Sequence, residues 1–282
     1  MYARLFWLLP LVCFGAPFAD AENSDSQPVP EYIFWMGADT PGRNEYQMAV
    51  ADAALRRSTE KFGGYKLISD TTHLPAVRSR RVLAEGKRFH FVATTFSASE
   101  NALGVIVVRE PIQFGLLGTR QLLVQTQHLA KFQDISRQEL AKLVAGQGRG
   151  WPEIGIYQAN NFSVEGFSEF FHLFPNLLAG RIDYVPLGIE EIEPTMARYG
   201  EKYSGISVVP NLLIKYPLPV YLVVSANQPE LAKRLKWGLA KLREEGELRD
   251  LFNRHKSEYL EIVNAADVRI FELANPDLIP SE

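Results

Sequence analysis

The alternation of apolar runs and amphipathic segments in residues 32–95 most constrains what this chain can fold into. Three short apolar runs have the continuous apolar character of strands buried on both faces: residues 32–37, 65–69 and 89–95. Two segments between them, residues 43–62 and 74–86, place apolar residues at helical spacing and end at glycine. Strand, helix, strand, helix and strand in this order predict βαβ units and an α/β fold.

A second unit of similar type follows the first. Two apolar runs, residues 105–108 and 121–124, lead out of the first unit, and Ser136 with Glu139 predicts a capping box at the start of a helix. The remaining segments predict a Gly-rich loop at 146–152, a strand at 154–157, a helix at 163–179, a strand at 182–185, a helix at 188–199, a strand at 220–224, a helix at 229–245 and a last helix beginning at 248. The tail after residue 264 is charged and contains proline, and we expect it to dock loosely.

Residues 1–21 predict export. Arg4 precedes an apolar run that ends near Phe18, and Ala-Asp-Ala at 19–21 fits a signal peptide cleaved after Ala21. The run is shorter than the roughly 20 residues of a spanning helix and contains two prolines. Cys13 leaves a lipid anchor as the alternative, although Val12 rather than a small residue precedes it. We expect a periplasmic protein in which residues 22–30 form a polar linker.

Composition argues against several classes of site and partner. Cys13 is the only cysteine and would leave with the signal peptide, so neither a disulfide nor a thiol-based site is expected. The net charge of −3 gives no indication of nucleic-acid or membrane-surface binding. With 46% hydrophobic residues, a chain of this length can build one large or two medium cores, and we expect a monomer.

Three segments resemble the family-3 solute-binding proteins, the periplasmic components of polar amino-acid uptake systems. They are GKRFHFVATTFSASEN at 86–101, AGRIDYVPLGIEE at 179–191 and PLPVYLVVSANQPELAKRLKWGLAKLREEGELRDLFNRH at 217–255. Residues 111–124, 146–153 and 180–193 are similar, more narrowly, to a divergent subgroup of that family. The resemblance spans residues 32–256, which is most of the exported chain.

The resemblance implies a two-lobed type II periplasmic-binding-protein fold with a mostly parallel sheet in each lobe. Lobe 1 would hold residues 30–120 plus 221–262, lobe 2 would hold residues 126–216, and residues 263–282 would form a C-terminal extension. Segments near 121–125 and 216–220 would form the hinge. A ligand would lie in the cleft at the carboxyl ends of the strands and would be enclosed by closure of the lobes.

The family's clamp for an α-amino acid is missing from this sequence. The Arg that grips the ligand carboxylate in the family corresponds to Asn101 here, and the Asp that pairs with the ammonium group falls near Leu187 and Gly188. Neither position can supply the charge. Either other residues provide the charges, or the ligand is not a free α-amino acid.

Two arginines are candidates for the missing cation. Arg149 lies between glycines that would let the backbone approach a ligand, and it could equally be a surface residue in a tight turn. Arg120 lies at the start of the hinge strand, where a structural ion pair explains it as well as a ligand contact does. Trp151, beside the same glycines, could form a cleft wall and stack on a ligand.

Polar groups at strand ends extend the candidate set. Thr94, Thr95 and Ser97 end the third strand, where their hydroxyls could bond a ligand or only cap the strand. Asp39 follows the first strand, and contact with an amine competes there with an Asx-turn before Pro41.

Asn101 and Tyr184 join the candidates because they lie in the segments that carry the family resemblance. Trp35 lies within an apolar strand, which favours core packing over ligand stacking. Glu190 and Glu191 are expected to begin a helix, where carboxylates interact favourably with the helix dipole without any ligand.

No catalytic set is evident. The five histidines lack metal-ligand spacing, and neither a G-x-S-x-G elbow nor a phosphate loop occurs. The Gly146-x-Gly148-x-Gly150 run is predicted to follow a helix and precede a strand, the reverse of the dinucleotide fingerprint. We therefore predict a binding protein without a cofactor, not an enzyme, that captures a small, polar, amino-acid-like solute for an inner-membrane ABC permease. The alternatives are a ligand-sensing module that signals to a membrane receptor and a degenerate lobe pair that binds protein.

Overall fold

Three stretches of the chain are described by the structure, a computed structural model: residues 28–37, 41–96 and 104–278. The predicted signal peptide and most of the predicted linker lie outside them, as do Asp39, Ser97 and Asn101. Within these stretches, no helix is both long and apolar enough to cross a membrane.

The first lobe is built on a five-stranded sheet. In spatial order its strands are β2 (Lys66–Asp70), β1 (Glu31–Trp35), β3 (Phe91–Thr95), β10 (Val220–Ser225) and β4 (Val105–Val108). As the βαβ pattern predicts, β1 runs parallel to β2 and β3. β10 runs antiparallel to β3 and β4, because it enters from the other lobe without a helical crossover. The α/β class is confirmed, but this sheet is mixed rather than mostly parallel.

Helices cover both faces of the first sheet. Along β10, Val223 faces one helical layer while Leu222 and Val224 face the other, as the two-residue period of a strand requires. On the second face two helices approach closely at Gly238, where a Cβ atom would lie 2.0 Å from the carbonyl oxygen of Ala54. The helices of this lobe are α1 (Pro41–Arg57), α2 (Thr59–Phe62), α3 (Ala76–Glu85), α9 (Pro229–Glu244) and α10 (Glu247–Val263).

The second lobe contains a four-stranded sheet and a two-stranded sheet. The first has the order β11 (Arg269–Glu272), β9 (Ile206–Lys215), β5 (Thr119–Gln125) and β8 (Val185–Gly188). The second pairs β6 (Ala145–Gly148) with β7 (Val164–Phe167), and a bridge from Ala145 to Tyr184 connects it to the end of β8. The helices are α4 (Leu129–Gln133), α5 (Arg137–Lys142), α6 (Glu153–Ala159), α7 (Leu173–Leu178) and α8 (Ile192–Tyr199).

The glycine-rich segment is the largest difference between the sequence prediction and the structure. Residues 146–148, predicted as the start of a loop, belong to β6, and residues 153–159, predicted to contain a strand at 154–157, form α6. The predicted helix at 163–179 divides into β7 and the short α7. Gly146 leaves room for Ile182, since a Cβ atom there would lie 2.3 Å from the Ile182 side chain. Tertiary packing therefore makes a strand of this segment. Gly146 and Gly148 lie within β6 and Gly150 precedes α6, whereas the run was predicted to precede a strand.

Strands β9 and β11 were not predicted. Pro210 and Asn211 interrupt the apolar pattern of β9, and the pairing with β5 skips from Leu213 opposite Gln121 to Val208 opposite Leu123. β11 belongs to the tail that was expected to dock loosely. It pairs in parallel with β9, and Arg269 donates hydrogen bonds to three carbonyl oxygens at the end of α4, with Nη1 to Ile135 at 2.8 Å and Nη2 to Phe132 at 2.9 Å and Gln133 at 2.5 Å.

Within residues 104–278 the chain crosses between the lobes three times. The crossings are residues 109–118 between β4 and β5, residues 216–219 between β9 and β10, and residues 264–268 between α10 and β11. The first two touch at Gly118, whose carbonyl oxygen accepts a hydrogen bond from the Tyr216 amide at 3.0 Å. The expected hinge at 216–220 agrees with the second crossing. Residues 121–125, expected as the other hinge, instead lie inside β5.

Candidate ligand-binding cleft

A cavity of about 650 Å³ lies between the two lobes. Strands of both lobes end at it: β1 ends at Trp35, β3 ends at Thr95, and Trp151 follows the end of β6. Open α/β sheets bind ligands at the carboxyl ends of their strands, so the position of the cavity is the one expected from the topology. Its lining includes Trp35, Arg43, Thr94 and Thr95 from the first lobe and Arg120, Trp151, Glu153, Phe170, Glu191 and Tyr199 from the second.

The second lobe contributes an aromatic wall. The rings of Trp151 and Phe170 lie 6.2 Å apart, centroid to centroid, and Phe170 lies 6.0 Å from Tyr199. Gly148 makes the position of Trp151 possible, because a Cβ atom there would lie 2.3 Å from the indole. This wall can stack on a planar or apolar part of a ligand.

The first lobe presents one large aromatic ring and the hydroxyl groups of a strand end. Trp35 stacks on Phe89 with centroids 5.7 Å apart, and its Nε1 donates to the carbonyl oxygen of Thr72 at 2.9 Å. Thr94 and Thr95 lie at the end of β3, where β10 fixes the backbone by antiparallel pairing. A ligand between the lobes would therefore meet aromatic surface on both sides and hydroxyl groups on one.

Arg120 is almost fully buried, with 3% of its surface exposed, although it lines the cavity. Its Nη2 donates to Glu153, and its Nη1 lies 3.2 Å from Oε2 of Glu191. Burial alone would lower the pKa of Arg120, but Tyr216, Glu153 and Glu191 raise it above its ordinary value. Arg120 is therefore held as a cation by structural ion pairs, which is one of the two roles that its sequence position allowed.

Glu191 accepts hydrogen bonds from three donors. Arg43 Nη2 lies 2.9 Å from Oε1, while Oε2 accepts from Arg120 Nη1 at 3.2 Å and from the Gly188 amide at 2.7 Å. Burial alone would raise the pKa of this carboxyl group. The charges of Arg43 and Arg120, with the hydrogen bonds, nevertheless hold the pKa of Glu191 at about 2. Glu191 lies at the start of α8, as predicted, but its contacts are with arginines rather than with the helix end.

The same network joins the two lobes. Arg43 on α1 lies 3.6 Å from Glu190, measured from Nε to Oε2, and Lys256 on α10 lies 2.5 Å from Glu190, measured from Nζ to Oε1. Three cations and three carboxylates, namely Arg43, Arg120, Lys256, Glu153, Glu190 and Glu191, thus balance one another beside the cavity. Such buried groups are compatible with folding only when they are paired in this way.

Four of the candidate residues line the cavity: Thr94, Thr95, Arg120 and Trp151. Arg149 and Tyr184 do not. Arg149 is exposed on the surface, and its amide donates to the carbonyl oxygen of Phe167 at 2.7 Å. Tyr184 is fully buried in the core of the second lobe, with its ring 6.3 Å from that of Phe132.

Sequence reasoning missed Arg43 and Lys256, and it favoured a helix-terminal charge over a functional role for Glu191. A signal for Lys256 exists: it follows Leu248 and Phe252 at intervals of four residues on the apolar face of α10. A lysine in such a position indicates a buried ion pair. Arg43 has no comparable signal. Among the residues that the structure describes, no group of three or more His, Cys, Asp or Glu could hold a metal ion.

No protein-family model matches the sequence, and no curated protein matches it. Solved structures do match its fold. A mutant of the arginine-binding protein from T. maritima has a TM-score of 0.51 at 16% identity, covering 80% of this chain and 95% of that chain. A periplasmic His/Glu/Gln/Arg/opine family-binding protein from Silicibacter pomeroyi, in complex with lysine, has a TM-score of 0.53 at 10% identity, covering 86% and 100%.

An amino acid ABC transporter substrate-binding protein from Streptococcus pneumoniae, bound to L-arginine, has a TM-score of 0.51 at 17% identity, covering 80% of this chain and 94% of that chain. At these identities the likeness shows the fold. The chain therefore has the two-lobed α/β fold of amino-acid ABC transporter substrate-binding proteins, as the sequence resemblance implied. These structural neighbours are binding proteins, not enzymes.

Proposed function

We propose that this protein is an exported, periplasmic solute-binding protein that captures a small polar solute between its lobes and delivers it to an inner-membrane ABC permease. The observation that carries the proposal is the cavity of about 650 Å³ between the lobes. Small-molecule pockets are typically about 300–1,000 Å³, mostly apolar, with a few convergent polar groups. The volume, the aromatic walls and the hydroxyl groups at the end of β3 all fit that description.

Within this proposal Trp151 stacks on the ligand, while Thr94 and Thr95 form hydrogen bonds with it. Arg120 borders the ligand while it stays paired with Glu153 and Glu191. Arg149 and Tyr184 have no part in the proposed contacts, because the first is on the surface and the second is in the core. Contacts from Asp39, Ser97 and Asn101 stay predictions from the sequence.

A second candidate function is a sensory module that presents its closed form to a membrane receptor. The ion pairs of Arg43 with Glu191 and of Lys256 with Glu190 favour it, since they join the lobes without a ligand. A protein whose closed form is held by its own charges could be recognised through that form. Delivery to a permease requires the lobes to open and release the solute, so the two functions differ in how easily the lobes separate.

A thermal-shift screen of the exported chain tests the proposal. Amino acids, small peptides, polyamines, organic acids and sugars form the panel. A ligand at 100 times its dissociation constant adds about 2.7 kcal/mol to the free energy of unfolding, which raises the melting temperature visibly. Failure of every panel member to stabilise the protein would count against solute binding and in favour of the sensory function.

Two tryptophan variants test whether the ligand binds in the cleft. Trp151→Ala should abolish the ligand-induced shift, because it removes the stacking surface of the cleft. Trp237→Ala is the matched control, since Trp237 packs against Phe62 on the far side of α9. The proposal for the cleft is contradicted by equal loss of the shift in both variants, or by a full shift in Trp151→Ala.

A further inference from the structure

Glu191 occupies a carboxylate-binding site made by the protein itself. Its two oxygens accept hydrogen bonds from the guanidinium groups of Arg43 and Arg120 and from the amide of Gly188, at 2.7–3.2 Å. Guanidinium groups combined with a backbone N–H are the donors with which proteins bind the carboxylates of ligands. Arg43, Arg120 and Glu191 all line the interlobe cavity. The hydrogen-bond donors of a site for a ligand carboxylate are therefore present, and the side chain of Glu191 already accepts their hydrogen bonds.

We propose that Glu191 takes the place of a ligand carboxylate, and that the cleft consequently selects a solute without a carboxylate group. The inference rests on the proposed function as a solute-binding protein and names its ligand class. Arg43 belongs to the first lobe and Glu191 to the second, so this internal carboxylate also makes the interlobe contact that a bound carboxylate would otherwise make.

The energetics favour the internal carboxylate over one from solution. Glu191 is tethered to the site, so its binding costs none of the translational entropy that a free solute loses. A solute carboxylate would have to displace Glu191 from both arginines and leave it partly buried without a partner, which is costly. If it bound without displacing Glu191, two carboxylates would share the same cations and repel each other.

The rest of the cavity offers aromatic and hydroxyl groups to a solute that has no carboxylate. Trp35 on one lobe and Trp151 and Phe170 on the other provide ring surfaces, while Thr94 and Thr95 provide hydroxyl groups. Arg120, Glu153 and Glu191 are paired with one another or with Arg43. Beside these paired charges, a solute gains aromatic stacking and neutral hydrogen bonds. His73, Arg80, Glu169 and Arg198 also line the cavity.

Chemical rescue tests the inference without knowledge of the natural ligand. Glu191→Ala removes the internal carboxylate and leaves both arginines in place. Acetate should raise the melting temperature of this variant in a saturable way, at constant ionic strength, and should leave the wild type unchanged. Glu244→Ala is the control, because Glu244 is an exposed carboxylate paired with Lys241 on the surface. A Glu191→Ala variant that responds to acetate no more than to chloride would overturn the inference.

A matched pair of probes tests the choice between acid and neutral solute. Benzoate and benzamide share a planar body and differ in charge. Benzoate should stabilise Glu191→Ala more than benzamide does, and the preference should disappear when Arg43→Ala is added. Stabilisation of the wild type by benzoate, to the same extent as the variant, would show that Glu191 does not exclude carboxylates.

A variant that does not fold in plain buffer still gives a result. Glu191→Ala is then refolded in acetate and in chloride at equal ionic strength. Recovery in acetate alone supports the inference, while equal recovery, or none in either salt, overturns it.

The failure of this inference is distinguishable from failure of the proposed function. A carboxylate-bearing solute that stabilises the wild type in the screen refutes the role of Glu191 and leaves solute binding intact. Saturable rescue of Glu191→Ala in a protein that no panel member stabilises refutes solute binding and leaves Glu191 as the occupant of the anion site.

Discussion

Arg43 in the first lobe and Glu191 in the second lie 2.9 Å apart, measured from Nη2 to Oε1. Only 14% of the Arg43 side chain and 23% of the Glu191 side chain are exposed to solvent. A second pair, Lys256 with Glu190, joins the same two lobes. The contact between the lobes therefore depends on charges that belong to the protein. Three of the four predictions below concern this contact, and the fourth concerns the C-terminal strand.

Arg43→Met should weaken the association of the lobes. The substitution leaves Glu191 with Arg120 alone and Glu190 with Lys256 alone, so both carboxylates lose a partner in a shielded environment. We expect the free energy of unfolding in urea to fall by about 2–3 kcal/mol, and the radius of gyration from small-angle scattering to rise. Arg56→Met, which removes the pairs of an exposed arginine with Asp52 and Glu247, should cost less than about 0.5 kcal/mol. Equal effects in the two variants would contradict this role of Arg43.

Acid should remove the contribution of Glu191 to stability. Its pKa is about 2 in the folded protein and roughly 4.3 in an unfolded chain. A lowered folded-state pKa stabilises the protein above the unfolded value, and this stabilisation is lost as the pH falls toward 2. The difference in unfolding free energy between the wild type and Glu191→Gln should be constant above about pH 5. It should decrease by on the order of 3 kcal/mol between pH 5 and 2. A difference independent of pH would show that the pKa of Glu191 is the same in the folded and unfolded states.

Gly188→Ala should displace the Glu191 carboxylate. A Cβ atom at Gly188 would lie 2.9 Å from Oε2 of Glu191 and 3.1 Å from Nη1 of Arg120, so the carboxylate must shift and the guanidinium group must move by a few tenths of an ångström. We expect a loss of about 1–3 kcal/mol in urea unfolding. Gly155→Ala is the control, because its Cβ would have open space in helix α6 and should stabilise the protein by up to about 1 kcal/mol. Equal free energies of unfolding for the two variants would mean that the position of the Glu191 carboxylate does not depend on the absence of a side chain at Gly188.

Arg269→Ala should loosen the C-terminal strand. The guanidinium group bonds the carbonyl oxygens of Phe132, Gln133 and Ile135, which a helix end leaves without partners. We expect a loss of about 1–3 kcal/mol in unfolding free energy and faster amide hydrogen exchange in β11. The exposed Arg254 of α10 supplies the control, and Arg254→Ala should leave both measurements unchanged. Unaltered exchange in Arg269→Ala would show that the pairing with β9 alone holds the tail.

The sequence predicts those parts of the fold in which local pattern and tertiary packing agree. β1 and β3 are continuous apolar runs because apolar side chains of both strands pack on both faces of the sheet, and α9 has one apolar stripe because it covers one face of a sheet. In β6 the local sequence pattern and the tertiary packing disagree. Its glycines have no side chains from which a period could be recognised, and the strand forms because Ile182 and Trp151 pack against the bare backbone.

The candidate site shows the same division. Thr94 and Trp151 could be predicted because strand ends and the residues after them converge at one edge of a sheet. Arg43 and Glu191 are 148 positions apart and meet only through the docking of the lobes. No spacing rule relates such residues, so the charge network that fills the cleft follows from the tertiary structure alone.

The third crossing of the chain limits how far the cleft can open. Residues 264–268 connect α10 of the first lobe to β11 of the second, and five residues span at most about 17 Å when fully extended. Two crossings in contact, at Gly118 and Tyr216, define an axis about which the lobes could rotate freely. The third connection enters the edge strand β11, beside β9, and becomes taut after a limited angle unless β11 detaches from β9. Rotation is thereby restricted in amplitude, and a solute must be small enough to enter through a partly opened gap.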